Sequence, residues 1–254
     1  MNEQLCDCCT EGNTMQITIR IHPDAPLTLP VNYRHIEQAV VYSLLGEGKD
    51  GSSLHDSGYG FGKRRYKLFT FGPINGPHSA EKRTVTFADD FCFSVRAADP
   101  VLIANAADHL ERCGIRFGDH VYRDIDFSTD NTVFSSNRAV IRMLSPVCLY
   151  TTNPETRRTT YYNPHQEMFS LLAEENFARK YCAAFGEMPE SGIRLSPLRI
   201  EPGDKLVTRY KDLIIEAYGG RYVLEGDPAY LTFLYNTGIG AKNSQGFGMF
   251  EAAE

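Results

Sequence analysis

The sequence has no run approaching about 18 consecutive apolar residues, so nothing in it reads as a membrane-spanning helix. Its start, Met1-Asn2-Glu3-Gln4-Leu5-Cys6, lacks the basic-then-apolar order of a secretory signal. A cytoplasmic location with no membrane partner is the expectation. There is no excess of positive charge: 26 Lys+Arg stand against 32 Asp+Glu, a formal charge of −6. That excludes a chain coated with positive charge, but not one with a local basic groove. An even set of cysteines is also missing. The seven present do not make a disulfide framework. Cys92, Cys113, Cys148 and Cys182 are isolated among apolar or mixed residues and read as free buried thiols. Cys6, Cys8 and Cys9 form a C-x-C-C cluster, but its spacing differs from common zinc knuckles and no fourth ligand is near. No H-x-x-x-H or clustered carboxylates support a two-metal nuclease. No metal and no cofactor are expected.

What is present is an ordinary globular balance: 254 residues, 42% apolar and 23% charged, enough for two compact modules. Residues 1–14 carry Glu3, Asp7 and Glu11 without Lys or Arg, so they read as a flexible tail. Removing them takes the formal charge from −6 to −3. Ile17, Ile19 and Ile21 alternate with polar residues, a strand pattern. Asn32 is placed to cap a helix over Tyr33–Leu45, which Gly46 and Gly48 end. Gly51–Gly62 reads as a loop and Tyr66–Phe71 as one strand. Lys82–Ala88 and Phe91–Arg96 read as strands pairing around Asp89-Asp90. A helix begins at Asp99 or Pro100, and His120–Phe127 and Asn131–Met143 complete a first half.

The second half offers a hairpin (Val147–Thr151 with Arg158–Tyr162), a helix to about Phe185 and strands over Ile193–Ile200, Leu206–Tyr210 and Leu213–Gly219. A short, apolar-rich segment at Arg221–Glu225, a short helix over Asp227–Tyr235 and a last strand over Gly246–Glu251 follow. The shared order suggests an α+β protein of two ferredoxin-like (RRM-like) modules with antiparallel sheets, residues 15–143 and 144–254.

The sharpest local signal is Gly238-Ile239-Gly240-Ala241-Lys242-Asn243-Ser244-Gln245-Gly246-Phe247-Gly248. It lacks the Gly-Lys-Ser/Thr of a Walker loop and follows a helix, unlike a dinucleotide fingerprint. By residue type it is either a connection closing the second sheet or a cradle for phosphate oxygens. The loop, with Met249-Phe250-Glu251 after it, resembles the hallmark of the CRISPR-associated endoribonuclease family that processes precursor CRISPR RNA. The Ile-rich first strand, Val40-Val41-Tyr42, Leu54-His55, Lys67-Leu68-Phe69-Thr70-Phe71 and Leu144-Ser145-Pro146-Val147 match in order. The resemblance spans Met15–Glu254. It implies tandem ferredoxin-like domains and metal-independent cleavage of repeat RNA. CRISPR repeat RNA is then the expected partner, with CRISPR effector-complex subunits and a second copy in a homodimer as further candidates.

RNA can be cut by its own 2′-hydroxyl if a group takes that proton, another protonates the leaving oxygen, and positive charge meets the phosphorane-like transition state. By type alone His55 is a surface-loop histidine, Tyr42 a packing residue and Lys67 a solvated strand lysine. The resemblance instead makes His55 the proton-transfer group, as acid or base, Tyr42 its partner and Lys67 the charge at the scissile phosphate. His35, seven residues before Tyr42, is the alternative histidine. Lys63, Arg64 and Arg65, then Arg157 and Arg158 before Tyr161 and Tyr162, are candidate RNA contacts. In the terminal loop, Gly238, Gly240, Lys242, Asn243, Ser244, Gln245, Gly246 and Gly248 form the third patch. A noncatalytic RNA-binding or scaffolding subunit is the competing reading.

Overall fold

The computed structural model describes residues 14–46, 58–62, 64–210 and 213–253. Gln16–Ile21 is an inner strand whose alternation is read directly by burial: Ile17, Ile19 and Ile21 are fully buried and Arg20 is exposed. It pairs antiparallel with Ile125–Asp130 on one side and Phe91–Ala97 on the other. Phe91–Ala97 in turn pairs with Phe69–Phe71. Helices α1 (Arg34–Leu45) and α2 (Pro100–Cys113) contribute Val41, Leu44, Ile103 and Ala106 to the core of this sheet. The Asp99 carboxylate accepts the Val101 N–H at 3.0 Å with Pro100 in the first turn, which fixes where α2 begins.

The same plan recurs. Arg138–Met143, α3 (Glu167–Phe185), Arg194–Arg199, Arg221–Glu225, α4 (Pro228–Thr237) and Phe250–Ala252 follow in sequence. In both sheets the fourth strand of the β-α-β-β-α-β series lies beside the first, then the third, then the second. The chain is therefore a tandem of ferredoxin-like modules. Hairpins are inserted at Tyr59–Phe61/Arg64–Tyr66, Tyr150–Thr152/Thr159–Tyr161 and Lys205–Tyr210/Leu213–Tyr218. No helix among the described residues is long and apolar enough to cross a membrane.

Several sequence expectations change. Arg138–Met143, assigned to the end of the first module, is an inner strand of the second sheet, so the division falls before Arg138 and not after Met143. Thr84–Phe87 and Phe91–Ala97 do not pair with each other. Thr84–Phe87 joins Leu27–Pro30 and Ser79–Ala80 in a separate small sheet. Part of the expected Gly51–Gly62 loop is strand, at Tyr59–Phe61. Asn32 does not cap α1; Tyr33 occupies that position without a side-chain cap. The expected strand over Tyr66–Phe71 is broken at Lys67-Leu68. The cause is packing: Leu68 is buried in the core of the second module, whereas Phe69 belongs to the core of the first.

The modules are also joined by a buried arginine. Arg96, on the third strand of the first module, is 3% exposed. Its Nη1 donates to the Phe250 carbonyl at 2.5 Å and its Nε to Gln16 Oε1 at 2.5 Å. The guanidinium stacks 3.5 Å from the Tyr235 ring centroid. Desolvation lowers its pKa to about 10, which leaves it charged near neutrality.

Candidate functional site

The glycine-rich loop lies in this junction. Its polar hub is Asn243, whose Nδ2 donates to the Ile239 carbonyl at 3.1 Å and the Phe247 carbonyl at 3.0 Å. Ile239 N–H donates to the Gly248 carbonyl at 2.8 Å, and Gly248 N–H to the Pro146 carbonyl at 3.0 Å. Helix α1 of the other module clasps the loop from outside. Arg34 Nη1 donates to the Gly246 carbonyl, and Gln38 Nε2 to the Ser244 carbonyl at 2.9 Å. The Arg34 guanidinium lies 5.2 Å from the centroid of Phe247.

Arg34, Gln38 and Tyr42 are spaced by four residues, so one helix stripe carries the clasp and the candidate catalytic tyrosine. Tyr42 is half-buried, and its ring meets Phe69 edge-on at 5.3 Å. Lys67, two residues before Phe69, is half-buried too. The hairpin Tyr59–Tyr66 folds the chain back so that a β-carbon on Gly58 would lie 3.4 Å from Lys67 Nζ. The structure thus brings Tyr42, the Lys67 segment and Gly58, three residues past His55 in the sequence, to one end of the first sheet. His55 and Lys63 lie outside the described residues, as does the Cys6-Cys8-Cys9 cluster. His35 is exposed in the first turn of α1, its Nδ1 at 2.9 Å from the Asn32 carbonyl.

Arg64 and Arg65 are exposed on the hairpin, and Arg65 Nη1 donates to the Gly58 carbonyl at 3.2 Å. Lys242 adopts φ +64 and holds its ammonium 5.3 Å from the ring centroid of Tyr150. Tyr150 pairs in register with Tyr161, the ring centroids 5.5 Å apart. Arg157 and Arg158 are exposed at the far end of the same hairpin, about 10 Å on at ~3.3 Å per residue. Lys242 and Arg157-Arg158 are separate in the sequence but meet at one hairpin, while Arg64 and Arg65 lie on another.

Gly238, Gly240, Asn243, Gly246 and Gly248 are buried, with protein atoms close around the glycines, so they shape the loop. Lys242, Ser244 and Gln245 are the loop candidates with exposed surface. Sequence reasoning missed Arg34, Gln38, Tyr150 and Lys180. The polar spacing of four along α1 was a usable signal for the first two. Lys180 had one as well, because it falls on the apolar stripe of α3 three residues after Phe177.

Glu37, one turn from Arg34, is fully buried, and neither carboxyl oxygen has a hydrogen-bond partner among the described residues. Desolvation pushes its carboxyl up to about 8, against the opposing pull of Arg34. Between 4.5 and about 8 the folded chain holds a proton that the unfolded chain has lost, so this contribution to stability is lost as pH rises through that window. Glu37→Gln, which cannot ionise, is expected to lose less stability than the wild type between about pH 5 and about pH 8. Urea midpoints at the two pH values measure this, and equal changes in both proteins would mean that Glu37 is already charged in the fold.

The family model for CRISPR associated protein Cas6, C-terminal, matches residues 129–252. Over 183 residues, 68% of this chain and 73% of the relative, the sequence is 22% identical to a protein of Pyrococcus furiosus named a putative CRISPR-associated endoribonuclease-like protein Cas6. A solved structure of a Cas6-related protein from the same organism matches with TM-score 0.76 at 20% identity, over 95% of this chain and 99% of that one. A RAMP protein described as binding different RNA substrates matches with TM-score 0.76 at 19% identity, over 94% and 100%. At these identities the structural matches speak for the fold.

Proposed function

Because this chain belongs to the CRISPR-associated Cas6 family, we propose that it is a metal-independent endoribonuclease that cuts precursor CRISPR RNA within its repeats. The observation that carries this reading is the junction itself. The helix bearing Tyr42 clasps the glycine-rich loop of the other module, and Gly58 abuts Lys67.

In this reading the 2′-hydroxyl attacks the adjacent phosphorus, its O–H bond breaks, and the opposing P–O bond breaks as the leaving 5′-oxygen gains a proton. The products are a 2′,3′-cyclic phosphate and a 5′-hydroxyl. His55 supplies one proton transfer, since a reference pKa of about 6.5 lets imidazole give or take a proton near neutrality. Tyr42 positions the hydroxyl. Lys67 meets the charge that develops on the phosphoryl oxygens. Arg64, Arg65, Arg157, Arg158 and Lys242 hold the RNA backbone, and Tyr161 offers a ring to a base. Partners beyond the RNA are effector-complex subunits and a second copy of the chain.

The test is incubation with the cognate repeat in excess chelator, followed by identification of both new ends. Cyclic phosphate and 5′-hydroxyl ends are expected. A strict need for a divalent ion, or a 3′-hydroxyl end, overturns the chemistry. Binding without cleavage would favour the noncatalytic subunit.

A further inference from the structure

Helix α3 carries a lysine where an apolar residue would be expected. Lys180 is 2% exposed and follows Phe169, Leu172, Ala173 and Phe177 along the buried face of the helix. Its ammonium donates to the Gly238 carbonyl and, at 3.2 Å, to Asn243 Oδ1. Desolvation, with no opposing pull from a carboxylate among the described residues, lowers its pKa to about 7. Burying an ammonium in this way is costly, and a methionine would fill similar volume without that cost. What the lysine provides in return is geometry. Gly238 and Asn243 flank Lys242 on either side, and Asn243 is the residue whose amide ties Ile239 to Phe247. With Oδ1 engaged by Lys180, the Asn243 amide can point only its nitrogen at those two carbonyls.

We infer that Lys180 is a positioning residue for RNA binding: it braces the glycine-rich loop from inside the second module so that Lys242 is presented to the RNA backbone. The inference rests on the RNA-binding reading given above. Two clamps then hold the loop. Arg34 and Gln38 close it from the first module, and Lys180 sets its shape from below. Lys180 touches neither the RNA nor the reacting atoms, so its removal acts through Lys242. Removing the brace weakens binding and leaves the chemical step at saturating RNA alone.

The experiment measures repeat-RNA affinity, by filter binding, for the wild type, Lys180→Met, Lys242→Ala and the double variant. Lys180→Met is expected to lose roughly 10-fold or more in affinity, the scale of a lost charged hydrogen bond. In the Lys242→Ala background the same change is expected to cost less than about 2-fold, because the two act as one unit. Cleavage of prebound RNA at saturation is expected to stay within about 2-fold of the wild type, as for an interaction that contributes to binding alone. Asn243→Ala gives the same readout from the loop side should Lys180→Met fail to fold. Independent, multiplying losses, or unchanged affinity in Lys180→Met, would overturn the inference while leaving the RNA reading intact. Absence of binding by the wild type would overturn the RNA reading and the inference with it.

Discussion

His55→Ala is expected to slow metal-free cleavage of the repeat by about 10²–10⁴ while changing RNA affinity by no more than a few fold. The size follows from the chemistry. Attack by the 2′-hydroxyl needs two proton transfers, and the other two candidates are poorly suited to them. Tyrosine near a pKa of about 10 holds its proton at neutrality, and lysine near about 10.4 does not readily give one up. A loss of positioning alone, as from Tyr42→Phe, is expected to be smaller. Single-turnover cleavage with saturating enzyme separates the two, since it reads the chemical step without dissociation. A rate for His55→Ala equal to that of the wild type would remove His55 from the mechanism and turn attention to His35, which sits exposed two turns before Tyr42 on α1.

Gly248→Ala is the second large effect. Gly248 has φ +79, and a β-carbon there would lie 2.0 Å from the Ile239 carbonyl oxygen and 2.6 Å from Asn243 Nδ2. The backbone conformation alone costs an L-residue about 1–3 kcal/mol. The clash is worse than the strain, because its nearest atom is backbone, and the displaced atoms belong to the hub that shapes the loop. A lowered urea midpoint is expected together with at least a roughly 10-fold loss of RNA affinity. Gly118→Ala is the control: Gly118 has φ +59, but open space where its β-carbon would go. It shares the backbone strain without touching the loop, so its RNA affinity is expected to match the wild type. Equal affinity losses in the two variants would mean that global destabilisation, and not the loop, limits binding.

The elements with local signals were legible in the sequence. The Ile17-Ile19-Ile21 alternation marks an inner strand, Asp99-Pro100 marks the start of α2, and the two-module plan follows from element order. Long-range choices were not legible. Arg138–Met143 has strand character, but nothing local says which sheet it joins. Tyr66–Phe71 reads as one strand because neighbouring Leu68 and Phe69 are both apolar, and only the fold sends them into different cores. Arg96 and Lys180 are charged by type, yet both are buried and donate hydrogen bonds to backbone carbonyls of distant segments, partners that only the fold supplies. The glycine-rich loop was legible too, as either a connection closing the second sheet or a cradle for phosphate oxygens. Its glycines are there because Asn243, Phe71 and Arg34 leave no room for side chains at Gly238, Gly246 and Gly248.

An RNA that supplies its own nucleophile cannot be cut where its 2′-hydroxyl is missing, so one substitution in the substrate is decisive. The cognate repeat is prepared with a single 2′-deoxy nucleotide immediately 5′ to the scissile phosphate and incubated with the wild-type protein in excess chelator. Binding should equal that of the all-ribose repeat, with no cleavage at that position. Cleavage of the deoxy substrate at the same phosphate would show that water or a protein group is the nucleophile and would contradict the mechanism.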